Sequence, residues 1–265
     1  MRDQRLSNWL VTTVAAVLCF LHAPLLVLVL FSFNDSKFSS DWVGFTPKWY
    51  ARLAERPDIV DGLYSSLIVG AASTLIATLL GTLMALALAR HRFRGRRLME
   101  ALLYVPLVTP EIVVGISLLI LFVAVKFPLG LASITIAHVA FNISFVVVVV
   151  NARLQGMDNA LEEAAMSLGA DEITAFFRVT VPQLWPGILS GAMLAFTMSF
   201  DDYVITSFVA GTDTATLPMV IYTMVRKNIE PSINAISTVV LVATTLLIVV
   251  ANRSGGEKSR GVAQR

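Results

Sequence analysis

Three carboxylic acids stand in long stretches otherwise free of charged residues: Glu111, Asp201 and Asp202. An uncompensated carboxylate at the centre of a bilayer costs at least ~2.5 kcal/mol, so each must face a cavity, a partner or the interior of a helix bundle. Each is a candidate functional group on that ground. Tyr104, Phe141 and Asn142 have the chemistry to add cation–π and polar contacts for a cationic ligand, although packing is the commoner use of such residues. Neighbouring residues on a helix point about 100° apart, so Asp201 and Asp202 do not share one wall. Asp202 is preferred for a path, because Gly187, Gly191, Ala195 and Ser199 form a small-residue row leading toward it. Pro106 and Pro110 free backbone carbonyls beside Glu111 and favour a kink there.

A second constellation lies between residues 151 and 186. Asn159 stands three residues before Glu162 as a cap-like start, and Leu161, Ala164, Ala165 and Leu168 fall at i, i+3, i+4 and i+7. Gly169 suits a left-handed cap that ends this helix, Asp171 restarts a second one, and Pro182 is expected to stop it. Ile173, Phe176 and Phe177 are expected on one face. Glu162, Glu163, Asp171 and Glu172 offer an acidic rim. The pattern fits a docking element for a soluble partner, or equally a cap on its own bundle.

The elements that position these groups follow from composition. Of 265 residues, 56% are hydrophobic and only 14% charged, far less charge than the roughly 25% of a soluble domain. Most of that apolar surface must face lipid or other helices. Six runs reach the ~20 residues needed to cross the hydrocarbon: Trp9 to Phe31, Gly62 to Ala89, Ala101 to Val125, Leu129 to Val150, Gly187 to Val209 and Ile233 to Ala251. They are continuous rather than alternating, which excludes barrel strands and leaves an all-α membrane protein of six transmembrane helices. The first run lacks a cleavage pattern and reads as a retained helix. Along straight helices, Glu111 would sit ~15 Å in, near midplane, and Asp202 ~24 Å in, at two depths of one path.

Residues 1–8 and 252–265 are the terminal segments, 32–61 an outer loop and 152–186 an inner loop. Of the 20 Lys and Arg, 13 fall on the side of both termini, which places the termini in the cytoplasm. Five of them lie in Arg90-His-Arg-Phe-Arg-Gly-Arg-Arg97, a topology determinant that touches lipid headgroups. The outer loop carries Trp42, Phe45, Trp49 and Tyr50, suited to the membrane interface. A net charge of only +2 argues against a nucleic-acid partner, and the single Cys19 excludes a disulfide or cysteine metal site within the chain.

Glu163-Ala164-Ala165, three residues, Gly169, nine residues, then Val179-x-Val181-Pro182 resembles the cytoplasmic loop of ABC importer permeases, Glu-Ala-Ala-x3-Gly-x9-Ile-x-Leu-Pro. The departures are valines at the Ile and Leu positions. Phe31-Ser-Phe-Asn34, Trp42 to Tyr50, Arg92-Phe-Arg-Gly95, Pro110-Glu-Ile112, Ser199 to Val204, Leu217 to Tyr222 and Asn234-Ala-Ile are similar to the spermidine/putrescine transport permeases, over nearly the whole chain.

The resemblance implies a type I ABC importer permease fold and a location in the bacterial inner membrane. It implies a heterodimer with a homologous permease, two copies of a cytoplasmic ATPase that bind ATP and Mg, and an extracytoplasmic polyamine-binding protein. In that reading Glu162, Glu163, Ala164, Ala165, Leu168, Gly169, Asp171 and Pro182 belong to the loop that couples to the ATPase. Glu111, Asp201, Asp202, Tyr104 and Asn142 are the candidates along the polyamine path. No Gly-x4-Gly-Lys-Ser/Thr stretch exists, so this chain is expected to carry no cofactor, no metal and no catalytic residue. Two other classes compete. Ser117 with His138 suits a rhomboid-like intramembrane serine hydrolase, and a half of an ion-driven secondary transporter would need no ATPase.

Overall fold

The computed structural model describes residues 8–36, 41–158, 160–227 and 231–260, with side chains to residue 246 in the last stretch. Its regular structure is helical, apart from one isolated bridge between Asn34 and Phe45. The order is α1 (Asn8–Phe31), α2 (Lys48–Ala54), α3 (Pro57–Arg90), α4 (Arg96–Val108), α5 (Glu111–Ala124), α6 (Leu131–Gln155), α7 (Ala160–Ser167), α8 (Glu172–Ala175), a π turn (Phe176–Thr180), α9 (Val181–Asp201), α10 (Val204–Val209), α11 (Leu217–Lys227) and α12 (Pro231–Arg260). Asn159, expected to cap α7, lies outside the described residues, as do residues 1–7 and 261–265 of the terminal segments.

Among the described residues, four helices are long and apolar enough to cross a membrane: Trp9–Phe31, Pro57–Arg90, Leu131–Gln155 and Glu172–Asp201. The pair α4 and α5 makes a fifth crossing if counted as one span, but it is bent by 113°. The expected straight helix from Ala101 to Val125 is therefore broken. Pro110 has no N–H to continue α4 and forces Thr109 into extended backbone (ψ 133°), so the chain turns rather than kinks. The fifth run also differs from expectation: it begins at Glu172 and ends at Asp201, because Asp202 is extended (ψ 127°) and α10 starts afresh. The last run appears as the shorter apolar helix Pro231–Leu246 among the residues with described side chains.

Pro182 does not stop a helix. The preceding π turn widens the backbone where the proline would otherwise clash with a carbonyl one turn back, and α8 continues through it into α9. The loop between crossings is correspondingly shorter than 152–186, since α6 runs on to Gln155.

The chain forms two compact units, Met1–Val60 with Ile221–Arg265, and Asp61–Val220. In the first unit, α1 and α2 both pack on α12. The segment before α2 is closed by Asn34, whose side chain accepts from Val43 N at 2.9 Å and donates to Asp41 O at 2.6 Å. Asn34 O in turn accepts from the Trp49 indole at 2.7 Å. Trp49 is thus buried, while Trp42 and Phe45 remain exposed.

In the second unit, the most extensive packing is α6 on α9, and the small-residue row of α9 explains it. Gly191 faces Val146 and Val150 closely, Gly187 lies beneath the Arg153 stem, and Ala195 is fully buried. The matching row of α3 brings Gly81 against Val146, where even a methyl group would stand 2.7 Å from Val146 Cγ1. Small residues here serve close packing within the chain. A second core of Val69, Phe122, Ile134, Phe141, Ile205 and Val209 joins α3, α5, α6 and α10.

Candidate functional site

Helix α7 is short and closes on the Schellman pattern: Gly169 N donates to Met166 O at 3.0 Å and Ala170 N to Ala165 O at 3.1 Å, with Gly169 at φ +97°. The glycine cap expected there is present. Leu161, Ala164, Leu168, Ile173 and Phe177 are exposed, Leu168 at 91%. Such apolar surface on the loop lacks a covering among the described residues. Ala165 is half buried. Phe176 and Phe177 do not share a face: Phe177 points out, whereas Phe176 lies under the Arg90 guanidinium at 5.3 Å.

The acidic rim also loses one member. Glu162 turns inward, accepting from Arg90 Nη1 at 3.0 Å, Arg90 Nη2 at 2.5 Å and the Thr180 hydroxyl at 2.6 Å. The Arg90 guanidinium, helped by Thr180, holds the Glu162 carboxyl below the usual carboxylate range. Its neighbour Glu163 is exposed, with Asp171 and Glu172. Arg90 is thereby taken out of the run of free loop cations, and Arg96 likewise pairs with Glu100 at 2.8 Å. Above the loop opens a cavity of about 1,070 Å³, lined among others by Arg90, Arg96, Tyr104, Asn151, Glu162 and Glu163.

The five path candidates fall in four places. Tyr104 lines that cavity, which Glu111, Asp201 and Asp202 do not. Asn142 is fully buried between α6 and α9, donating to Ala195 O at 3.2 Å, with its Oδ1 unmatched. It faces no path in this arrangement. Glu111, at the start of α5 beyond the Pro110 break, and Asp201 are both exposed, and Glu111 is close enough for its charge to act on Asp201.

Asp202, the preferred path residue, is instead tied into the bundle. Its carboxylate accepts from Ile205 N at 3.2 Å, Thr206 N at 2.8 Å and the Thr206 hydroxyl at 2.7 Å, at the first turn of α10. His138 Nε2 lies 3.2 Å from the same oxygen, and His138 Nδ1 2.7 Å from Ser199 Oγ, which meets Ser73 Oγ at 2.9 Å. This network joins α3, α6, α9 and α10 through buried groups. Sequence reasoning had no signal for it beyond the apolar context of His138.

The same geometry removes the hydrolase reading based on Ser117. That serine is exposed on α5, whereas the His138 ring is occupied by Ser199, Asp202 and Thr206. Ser199 is itself buried and shared with Ser73, so it offers no open nucleophile to a substrate.

Residues 77–255 match the binding-protein-dependent transport system inner membrane component family. The chain is 38% identical over 246 residues to the spermidine/putrescine transport system permease protein PotC of Escherichia coli (strain K12), covering 93% of each. It is 40% identical over 252 residues to the putrescine transport system permease protein PotI of the same strain, covering 92% of this chain and 90% of that one. Among solved structures, a bacterial ABC transporter involved in the import of the acidic polysaccharide alginate matches with TM-score 0.70 at 16% identity, over 96% of each chain. At that identity the likeness concerns the fold alone. The inward-facing MetNI methionine ABC transporter matches with TM-score 0.59 over 82% of this chain. With a family match across most of its length and close relatives along nearly all of it, the chain belongs to the inner membrane components of binding-protein-dependent transport systems.

Proposed function

We propose that this chain is a permease subunit of an ATP-driven importer of polyamines, forming the membrane path together with a second, homologous permease. The observation that carries the substrate class is the 38–40% identity, over about nine-tenths of the chain, to permeases named for spermidine and putrescine. Exposed Glu111 and Asp201 agree with it chemically. Carboxylates offset the lost hydration of an ammonium group by ion pairing and charge-assisted hydrogen bonds, and weak, spaced sites allow a cation to leave again.

In this reading the loop around α7 docks on a cytoplasmic ATPase, one of two copies, that binds ATP and Mg. Leu161, Ala164, Leu168, Ile173 and Phe177 supply apolar contact, and Glu163, Asp171 and Glu172 the charged edge; their exposure supports that use. Gly169 fixes the turn of the loop. An extracytoplasmic binding protein delivers the amine to the outer side, near the 32–61 loop. ATP-driven closure of the ATPase pair moves the docked loop, the path opens outward, and hydrolysis resets it. The Lys and Arg distribution supports cytoplasmic termini in the bacterial inner membrane.

The test is uptake of labelled putrescine and spermidine into proteoliposomes holding the full complex, with and without ATP, beside uptake of an anionic sugar. ATP-dependent amine uptake is the expected result. Amine uptake driven by an ion gradient without the ATPase would overturn the reading in favour of a secondary transporter.

A further inference from the structure

Helix α7 is connected by the chain to only two of the long helices. Behind it runs α6, through Gly156 and the segment after it; ahead lie α8, the π turn and α9, across the left-handed Gly169 joint. No covalent path of comparable length leads to α3. Yet Arg90, the last residue of α3, reaches a carboxylate seventy-two positions later in sequence.

The contact has an unusual degree of definition for a loop. Both guanidinium nitrogens engage both oxygens of Glu162, Thr180 donates to one of those oxygens, and Arg90 Nη2 lies 3.3 Å from the Thr180 hydroxyl. Thr180 is buried in the π turn, and the Phe176 ring of the same turn supports the guanidinium face. Four side chains from three segments therefore fix one orientation. Lysine would supply the charge without the planar fork or the stacking.

As a stabilising interaction the pair contributes little, because Arg90 is about a third exposed and water screens it. Its value is geometric: α7, the π turn and the end of α3 must move together while the fork holds. We propose that Arg90 is a positioning residue that clamps the α7 loop to α3, so that displacement of the loop is delivered to α3 as well as to α6 and α9. Adjacent glutamates divide the labour, Glu162 facing the clamp and Glu163 facing outward. The proposal rests on the loop docking to an ATPase.

The experiment uses the complete complex in lipid nanodiscs and proteoliposomes, with Arg90→Gln, Glu162→Gln, Thr180→Val, the exchange of Arg90→Glu with Glu162→Arg, and Leu168→Asp. Retention of the ATPase, hydrolysis rate and putrescine moved per ATP are measured for each. Arg90→Gln and Glu162→Gln should keep the ATPase bound and lower putrescine per ATP at least threefold, Thr180→Val should lower it by less, and the exchange should regain at least half of the loss. An unchanged ratio in both single variants, or an exchange no better than either, overturns the clamp. If the Arg90 variants fail to assemble, Thr180→Val decides, with an unchanged ratio counting against. Leu168→Asp tests the docking reading by itself: it should release the ATPase, and full retention with normal coupling would overturn docking whatever the clamp variants do.

Discussion

His138 Nε2 and the Asp202 carboxylate meet at 3.2 Å where α9 gives way to α10, and the contact turns a carboxylate that sequence reasoning assigned to a path into a support of the bundle. Asp202→Ala would leave the Ile205 and Thr206 N–H groups without their acceptor, at about 1–3 kcal/mol for each buried group left unmatched, and the His138 ring with Ser199 and Thr206 alone. The expected outcome is a clear drop in the unfolding temperature of the detergent-solubilised complex. Asp201→Ala, on the exposed neighbour, should leave that temperature unchanged.

Uptake should separate the same residues differently. Removing a charge-assisted hydrogen bond to an ammonium group loses about 1.5–3 kcal/mol, or roughly tenfold or more in the concentration for half-maximal uptake. Asp201→Asn and Glu111→Gln are expected to raise that concentration for putrescine while unfolding stays as in the parent protein. Asn142→Ala should act through stability alone, since its side chain is enclosed between α6 and α9.

Two glycines that face Val146 from different helices should respond unequally. A Cβ on Gly81 meets Val146 Cβ at 2.8 Å and the Ile143 carbonyl at 3.2 Å, whereas one on Gly191 meets nothing nearer than 3.4 Å. Gly81→Ala is predicted to destabilise by about 1–3 kcal/mol through overpacking, despite the better helix propensity of alanine. Gly191→Ala should be neutral or mildly stabilising. Thermal unfolding of the two variants side by side provides the comparison.

Acid should loosen the loop at Glu162. A carboxyl whose folded-state pKa is depressed contributes stability that is present above its unfolded value, near 4.5, and is lost as pH falls through the lower folded value. Protection against hydrogen exchange across residues 160–180 should therefore be complete at neutral pH, begin to fall as pH drops through about 4.5, and go on falling toward the lower folded value. Glu162→Gln should exchange faster at neutral pH and lose that acid step.

At Gly169 the space is open but the backbone is not permissive: φ is +97° and nothing lies within 4 Å of a Cβ. Valine there must pay for the left-handed conformation or unwind the end of α7, at about 1–2 kcal/mol. Faster limited proteolysis between residues 165 and 171 is the expected readout, with no change in the transmembrane helices.

Much of this architecture was legible because membrane helices are dictated by continuous apolar length, which Trp9 to Phe31 and Leu129 to Val150 display without ambiguity. The Gly169 cap was legible because a helix ending on glycine has one favoured geometry. Breaks were harder. Pro110 reads as a kink and Pro182 as a stop, yet the first turns the chain by 113° and the second is absorbed by a π turn. The inward turn of Glu162 was hidden because Arg90 and Thr180 lie in distant segments, and spacing within a helix carries no information about partners elsewhere. The His138 network was hidden for the same reason.

Among the described residues, no side chain in the apolar stretch of α1 is buried, so this strongly hydrophobic helix keeps much of its surface for lipid. Taken out of a membrane, the protein would need detergent to cover that helix before any other measurement could begin.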